Sequence, residues 1–220
     1  MQTEIVVILD RSGSMASVRE DMEEGLRQFI LEQKRVDGDA NFSLIQFDNE
    51  IETVIDGRDI KTVDPQDICL LPRGSTALLD AIGRGITHTQ DRINSHIDKP
   101  EHVIVVVITD GHENASREFK KNQIEDLIKK NEDWHFTFLG ADMSGISDAH
   151  SVGFQQASTM NYAKGAKAVN SAYVAMSRNI SDVRIGLSST ISYSDEDRIS
   201  AMAPDDVKDK EPTTESKTTP

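Results

Sequence analysis

The stretch that decides the fold is residues 102–110, which read HVIVVVITD. An aliphatic run with no polar interruption before Thr109 predicts a strand that is buried on both faces. Such a strand lies in the middle of a parallel sheet, with helices covering each side. It ends at Asp110, so we expect a carboxylate at the carboxyl end of a central strand.

The rest of the chain alternates between apolar runs and amphipathic stretches. Further strands are predicted at residues 5–9, 40–48, 51–55, 134–140 and 153–157, the last as a short edge strand. Apolar residues at spacings of three and four predict helices within residues 17–33, 76–93, 122–130 and 161–180. The alternation predicts an α/β fold: a Rossmann-like, doubly wound, mostly parallel central sheet of about six strands, with helices on both faces. Because 40–48 and 51–55 read as a hairpin, one edge strand should be antiparallel.

Composition limits the domain organisation and the partners. The chain has 220 residues, a formal net charge of −14 and one cysteine, Cys69. We expect one domain over residues 1–183 and a flexible, acidic, Ser/Thr/Pro-rich tail over residues 184–220. The negative charge disfavours nucleic acid and anionic membranes as partners. The sequence contains neither a long apolar run nor a basic leader before Ile5, which favours a cytoplasmic protein without a membrane helix.

The residues that carry chemistry follow the two strands that end in aspartate. Asp10-Arg11-Ser12-Gly13-Ser14 offers a carboxylate and two hydroxyls at alternate positions, and Asp110 adds a second carboxylate. Thr76 supplies another hydroxyl at the start of a helix. In open parallel sheets, ligands bind beyond the carboxyl ends of the strands, where the strand order reverses. Oxygen donors of this kind suit Mg²⁺, Mn²⁺ or Ca²⁺. The set contains none of the soft ligands that zinc prefers.

This pattern resembles the von Willebrand factor type A domain with an intact metal-ion-dependent adhesion site. That family carries Asp-x-Ser-x-Ser after the first strand, a threonine in a later loop, and an aspartate within Thr-Asp-Gly. Within that family the chain resembles single-domain intracellular proteins of bacteria and phages, through Arg-Gly-x-Thr-Ala-Leu and Thr-Asp-Gly-x-Glu-Asn. The matching positions are Asp10, Ser12, Ser14, Thr76 and Asp110, with Thr109 and Gly111 flanking the last.

The resemblance implies a divalent cation, Mg²⁺ first with Mn²⁺ or Ca²⁺ as alternatives, held by the three hydroxyls and by the two aspartates directly or through water. It also implies a free coordination position that takes an acidic residue of another protein. A separate ATPase or a second copy of this chain are candidate partners. The resemblance therefore implies a protein-binding module rather than an enzyme.

Two alternatives remain open. A Mg²⁺-dependent phosphoryl-transfer enzyme would also place aspartates at these strand ends. Such an enzyme needs a carboxylate two residues after Asp10, where this chain has Ser12. It also needs a lysine that neutralises the phosphate, and we expect no lysine in the strands or their exit loops. The second alternative is a structural subunit without a working metal site.

Several other residues have plainer expected roles. Asp142 is expected to shape the same rim, and His112 and Glu113 to lie there in a solvated loop. Arg11 and Arg73 are expected to be solvated arginines beside the site. Cys69 is expected to be buried and inert.

Overall fold

The computed structural model describes residues 2–141 and 143–205. Its strands are β1 (Gln2–Asp10), β2 (Asp39–Phe47), β3 (Ile51–Asp59), β4 (His102–Thr109), β5 (His135–Gly140) and β6 (Thr159–Asn161). Its α-helices are α1 (Arg19–Arg35), α2 (Leu78–Ser95), α3 (Lys121–Lys130), α4 (Met143–Ser151), α5 (Ala166–Arg184) and α6 (Asp195–Ala201). None of these helices combines the length and the apolar character that crossing a membrane requires.

The six strands form one sheet in the order β3-β2-β1-β4-β5-β6. β1 pairs in parallel with both β2 and β4, and the parallel pairing continues through β5 to β6. β3 pairs antiparallel with β2 at one edge. The predicted α/β fold, with a mostly parallel sheet and one antiparallel edge strand, is confirmed.

Both faces of the sheet are buried, as the aliphatic runs of β1 and β4 require. Ile5, Val7 and Leu9 of β1 point to the face covered by α1 and α5. Val6 and Ile8 point to the other face, where α2, α3 and α4 pack. Because neighbouring residues of a strand alternate between faces, one apolar run serves two cores.

The sixth strand lies a few residues after its predicted position. Residues 153–157 form a loop, because Gly153 takes a φ of +104° directly after α4. The side chain of Phe154 in this loop is buried, and the centre of its ring lies 5.3 Å from the centre of the Phe138 ring. The edge strand is β6, and the following helix α5 begins at residue 166 rather than at 161. The prediction of an edge strand at 153–157 is therefore wrong in its position along the chain.

The predicted start of a flexible tail at residue 184 is also wrong. Ile191, Tyr193 and Ala201 are buried in the core beside α5. α6 begins with a capping box in which Ser194 and Asp197 satisfy each other's backbone N–H groups. The domain therefore extends at least to residue 205, and residues 206–220 lie outside the described part of the chain.

Cys69 is exposed, contrary to the expectation of a buried thiol. Its neighbours Ile68 and Leu70 are buried at 1% and 0% exposure. In an extended segment successive side chains face opposite directions, so burying Ile68 and Leu70 turns Cys69 outward.

Candidate metal centre

The candidate site lies where the strand order reverses. From β1 the chain continues through α1 to β2 on one side, and from β4 it continues through α3 to β5 on the other. Asp10 is the last residue of β1, and Asp110 directly follows β4. The neighbouring strands diverge beyond this point, which is where ligands bind in open parallel sheets.

Asp10 is fully buried and holds the first loop in shape. Its Oδ1 accepts a hydrogen bond from the Ser12 backbone N–H at 2.6 Å, and its Oδ2 accepts one from Thr109 Oγ1 at 2.5 Å. Burial raises the pKa of the Asp10 carboxyl to about 6, and these hydrogen bonds oppose the rise. Asp10 thereby links the ends of β1 and β4.

Ser12, Ser14 and Asp110 form a chain of oxygen atoms. Ser14 Oγ donates to Asp110 Oδ1 at 2.5 Å and lies 3.1 Å from Ser12 Oγ. The other oxygen of Asp110, Oδ2, accepts a hydrogen bond from Lys164 Nζ at 2.7 Å. Two hydroxyls and a carboxylate therefore meet at one point, with an ammonium group against the carboxylate.

Thr76 faces the same point from the loop before α2. A Cβ atom placed on Gly111 would lie 3.5 Å from Thr76 Oγ1 and 3.8 Å from Ser14 Oγ. Glycine at position 111 thus leaves room between the two hydroxyls. The structure brings all five predicted ligands to the switch point, while their role in holding a metal remains a prediction.

Backbone hydrogen bonds from the loop after β4 fix the position of Thr76. Asn114 Oδ1 accepts from the Thr76 N–H at 2.9 Å, and the Asn114 N–H donates back to the Thr76 carbonyl at 3.0 Å. Glu113 accepts from the N–H groups of Leu79, Ala115 and Ser116. Glu113 is therefore a structural cap of α2 and of its own loop, not the solvated residue that we expected.

A buried ion network supports the neighbouring loops. Asp48, directly after β2, accepts from Arg11 Nε at 3.0 Å and from Arg73 Nε at 2.8 Å. Arg11 also pairs with Glu52 at 2.6 Å and is 6% exposed. Arg11 is thus buried and paired, not solvated as expected, whereas the paired Arg73 keeps 56% of its side chain exposed.

Lys164 is the site residue that sequence reasoning missed. It lies between β6 and α5, in a strand exit loop, where we expected no lysine. The error follows from the predicted position of β6 and of the helix after it. A helix starting at 161 would include Lys164, whereas the structure leaves Lys164 in the loop between β6 and α5. Asp142, which we expected at the same rim, lies outside the described residues.

The donor set fits a hard divalent cation. It consists of three hydroxyls and two carboxylates, the ligand type that Mg²⁺ and Ca²⁺ prefer. Among residues 2–141 and 143–205, no group of three or more His, Cys, Asp or Glu side chains could hold a metal ion. A site built mainly from hydroxyls does not depend on such a group.

Comparison with known proteins agrees with this geometry. Residues 5–113 match the family model of the von Willebrand factor type A domain, a span that includes all five candidate ligands. The chain folds as a von Willebrand factor type A domain. The PilB minor pilin from Streptococcus sanguinis superposes with a TM-score of 0.63 at 13% identity, over 82% of this chain and 61% of that one.

Two other structures share the type A fold. The von Willebrand factor domain of the type V pili tip protein Mfa5 from Porphyromonas gingivalis gives a TM-score of 0.61 at 11% identity, covering 87% of this chain and 97% of that one. Proximal thread matrix protein 1 of the mussel byssus, with a zinc-occupied MIDAS motif, gives 0.58 at 14% identity, covering 83% and 44%. This chain thus spans about three fifths of the pilin and under half of the byssus protein. A sequence comparison with curated proteins finds no match.

Proposed function

We propose that this type A domain is a metal-ion-dependent protein-binding module. The observation that carries the proposal is the meeting of Ser12, Ser14, Thr76 and Asp110 at the switch point of the sheet. Three hydroxyls contribute no negative charge, so a divalent ion there would keep electrophilic character. A bound cation would supply a coordination position for a carboxylate oxygen of a partner protein.

The chain's own residues would prepare this site before a partner arrives. Asp10 orients the Ser12 backbone and ties β1 to Thr109, which keeps the two strand ends in register. Asn114 holds the Thr76 loop against the loop that carries Asp110. The byssus protein with its zinc-occupied motif supports the choice of a metal-binding role, while the all-oxygen donor set favours Mg²⁺ here.

Calorimetric titration of chelator-treated protein with Mg²⁺ and Mn²⁺ tests the metal site. We expect Asp110→Asn, which keeps the shape of the side chain but removes its charge, to weaken binding at least about tenfold. Ser17→Ala is the control, because Ser17 lies in the same turn as Ser14 and its exposed hydroxyl donates to the Ser14 carbonyl, not to a candidate ligand oxygen. Equal Mg²⁺ affinity of the wild type and Asp110→Asn would refute the assignment.

The partner is proposed to present an acidic side chain, either on a separate protein such as an ATPase or on a second copy of this chain. Sedimentation of the purified protein with Mg²⁺ and with chelator separates these two sources. A metal-dependent dimer would identify self-association, and a monomer in both conditions would exclude it and leave a separate protein as the proposed partner. A cytoplasmic location stays a prediction from the sequence.

Phosphoryl transfer is the second candidate, because Lys164 supplies a cation that this chemistry requires. Position 12 nevertheless carries a hydroxyl where such enzymes need a carboxylate, which favours the binding role. Incubation with radiolabelled acetyl phosphate and Mg²⁺ tests the point. We expect no acid-stable, base-labile label on the protein, and labelling lost in Asp10→Asn would overturn the binding proposal.

A further inference from the structure

Lys164 covers the carboxylate that the metal site requires. The side chain of Asp110 has no exposed surface, whereas 42% of the Lys164 side chain is exposed. Oδ1 of Asp110 is engaged by Ser14 and Oδ2 by the Lys164 ammonium. A cation approaching Asp110 Oδ2 therefore meets a positive charge already in hydrogen-bond contact with that atom.

The backbone that carries Lys164 is anchored on both sides. The Tyr162 N–H donates to the Gly140 carbonyl at 3.0 Å, and the Ala163 N–H donates to the Ala201 carbonyl at 2.8 Å. On the far side, the Lys167 N–H donates to Asp205 Oδ1 at 2.9 Å. The loop is thus held between β5, α6 and the segment after α6, so that the movable part is the lysine side chain.

The two halves of this ion pair differ in their freedom to move. Asp110 is fixed next to β4 and bonded to Ser14, but the ammonium ends a flexible, half-exposed stem. By contrast, the buried Asp48 is held by two arginines, and one of them, Arg11, has a side chain that is only 7% exposed, so Asp48 stays paired if the exposed Arg73 moves away. A single exposed lysine can leave its carboxylate and be solvated in a way that the buried guanidinium cannot.

We propose that Lys164 is a built-in competitor for the metal, occupying Asp110 until a divalent cation displaces it. This inference rests on the proposed metal site and adds a regulatory contact to it. The ammonium keeps the buried carboxylate paired in the metal-free protein, which avoids the cost of an unpaired buried charge. The same contact lowers the affinity for the metal, because binding must first break it.

The first test is a calorimetric Mg²⁺ titration of Lys164→Met and Lys164→Arg. Breaking a hydrogen bond between charged groups corresponds to roughly a tenfold change in affinity, so we expect Lys164→Met to bind Mg²⁺ about tenfold more tightly. Lys164→Arg, which retains the charge, should stay close to the wild type. Lys121→Met is the matched control, since Lys121 also pairs with an aspartate, Asp148, at 2.7 Å and is 50% exposed.

The outcomes separate this inference from the proposed function. If the wild type binds Mg²⁺ and Lys164→Met binds it equally or more weakly, competition by Lys164 is overturned and the metal site stands. If none of the variants binds Mg²⁺, both proposals are overturned. Tighter binding in Lys121→Met by the same factor would assign the effect to net charge and also overturn the inference.

A second measurement needs no substitution. Brief acetylation of the wild-type protein, followed by peptide mass spectrometry, reports how accessible each lysine amine is. We expect Mg²⁺ to raise the acetylation of Lys164 and to leave Lys121 unchanged. An unchanged Lys164 at a Mg²⁺ concentration that saturates the calorimetric signal would show that the ammonium is not displaced.

Discussion

Tyr193 tests whether the segment after α5 belongs to the folded domain. It is 5% exposed, and its hydroxyl lies 2.7 Å from Thr137 Oγ1 in β5. Tyr193→Ala removes a buried aromatic ring, which costs about 3–4 kcal/mol of unfolding free energy by analogy with other aromatic-to-alanine changes. Tyr193→Phe removes only the hydroxyl and should cost about 1 kcal/mol, because Thr137 still donates to the Ser158 carbonyl.

Urea denaturation followed by circular dichroism measures the loss of unfolding free energy in each variant. In thermal unfolding of a chain of this size, Tyr193→Ala should lower the melting temperature by about 10 °C. Ser189→Ala, at an exposed position of the same segment, is the control and should be neutral. Residues of a flexible tail tolerate substitution within about 0.5 kcal/mol. A loss that small for Tyr193→Ala would therefore refute the packing of this segment and restore the domain end at residue 183.

Three further predictions concern the ion network, the helix packing and the support of the site. Burial alone would raise the pKa of Asp48, but hydrogen bonds and the charges of Arg11 and Arg73 outweigh it and lower that pKa. Asp48→Asn should cost about 3 kcal/mol in urea denaturation, and this difference should begin to shrink below about pH 4, the usual pKa of the unfolded carboxyl, and vanish as the pH falls through the lower folded-state pKa. Gly25→Ala should cost about 1–2 kcal/mol despite better helix propensity, because the new methyl group would overlap the buried ring of Tyr173; thermal unfolding without destabilisation would contradict this packing. Asn114→Ala should weaken Mg²⁺ binding about tenfold by freeing the Thr76 loop, and Asn114→Asp, which keeps an acceptor oxygen, should restore it in calorimetry.

The central part of the fold could be predicted because its signals are local. The run from residue 103 to 108 indicates a doubly buried strand, and its ending in Asp110 indicates which edge of the sheet carries polar groups. The same reasoning applies to β1 and Asp10. Parallel order then follows from the alternation with helices, so the Asp10 loop and Asp110 could be placed at one edge of the sheet from the sequence alone. Thr76 lies in the connection after the antiparallel strand β3, and only the resemblance to type A domains placed it with the other ligands.

The C-terminal segment could not be predicted because polar residues hold it in place, through hydrogen bonds to backbone groups. Ser194 and Asp197 resemble solvated residues in the sequence, yet they cap α6. Arg198 donates to the carbonyl of Thr159, the first residue of β6, and to that of Gln156 in the loop before it. Composition counts such residues as evidence for disorder, because it does not show which backbone groups they will meet.

The loops around the site show the same contrast between local motif and distant support. Asp10, Ser12 and Ser14 are close in sequence, so their spacing alone suggested a shared role. Lys164 reaches Asp110 across 54 residues, and a shift of a few residues in β6 was enough to hide it. A cation that pairs with a candidate ligand has no motif of its own, because its role depends only on where the fold places its charge. Comparing metal-free structures of type A domains for a cation against this aspartate would therefore reveal such competitors where sequence motifs do not.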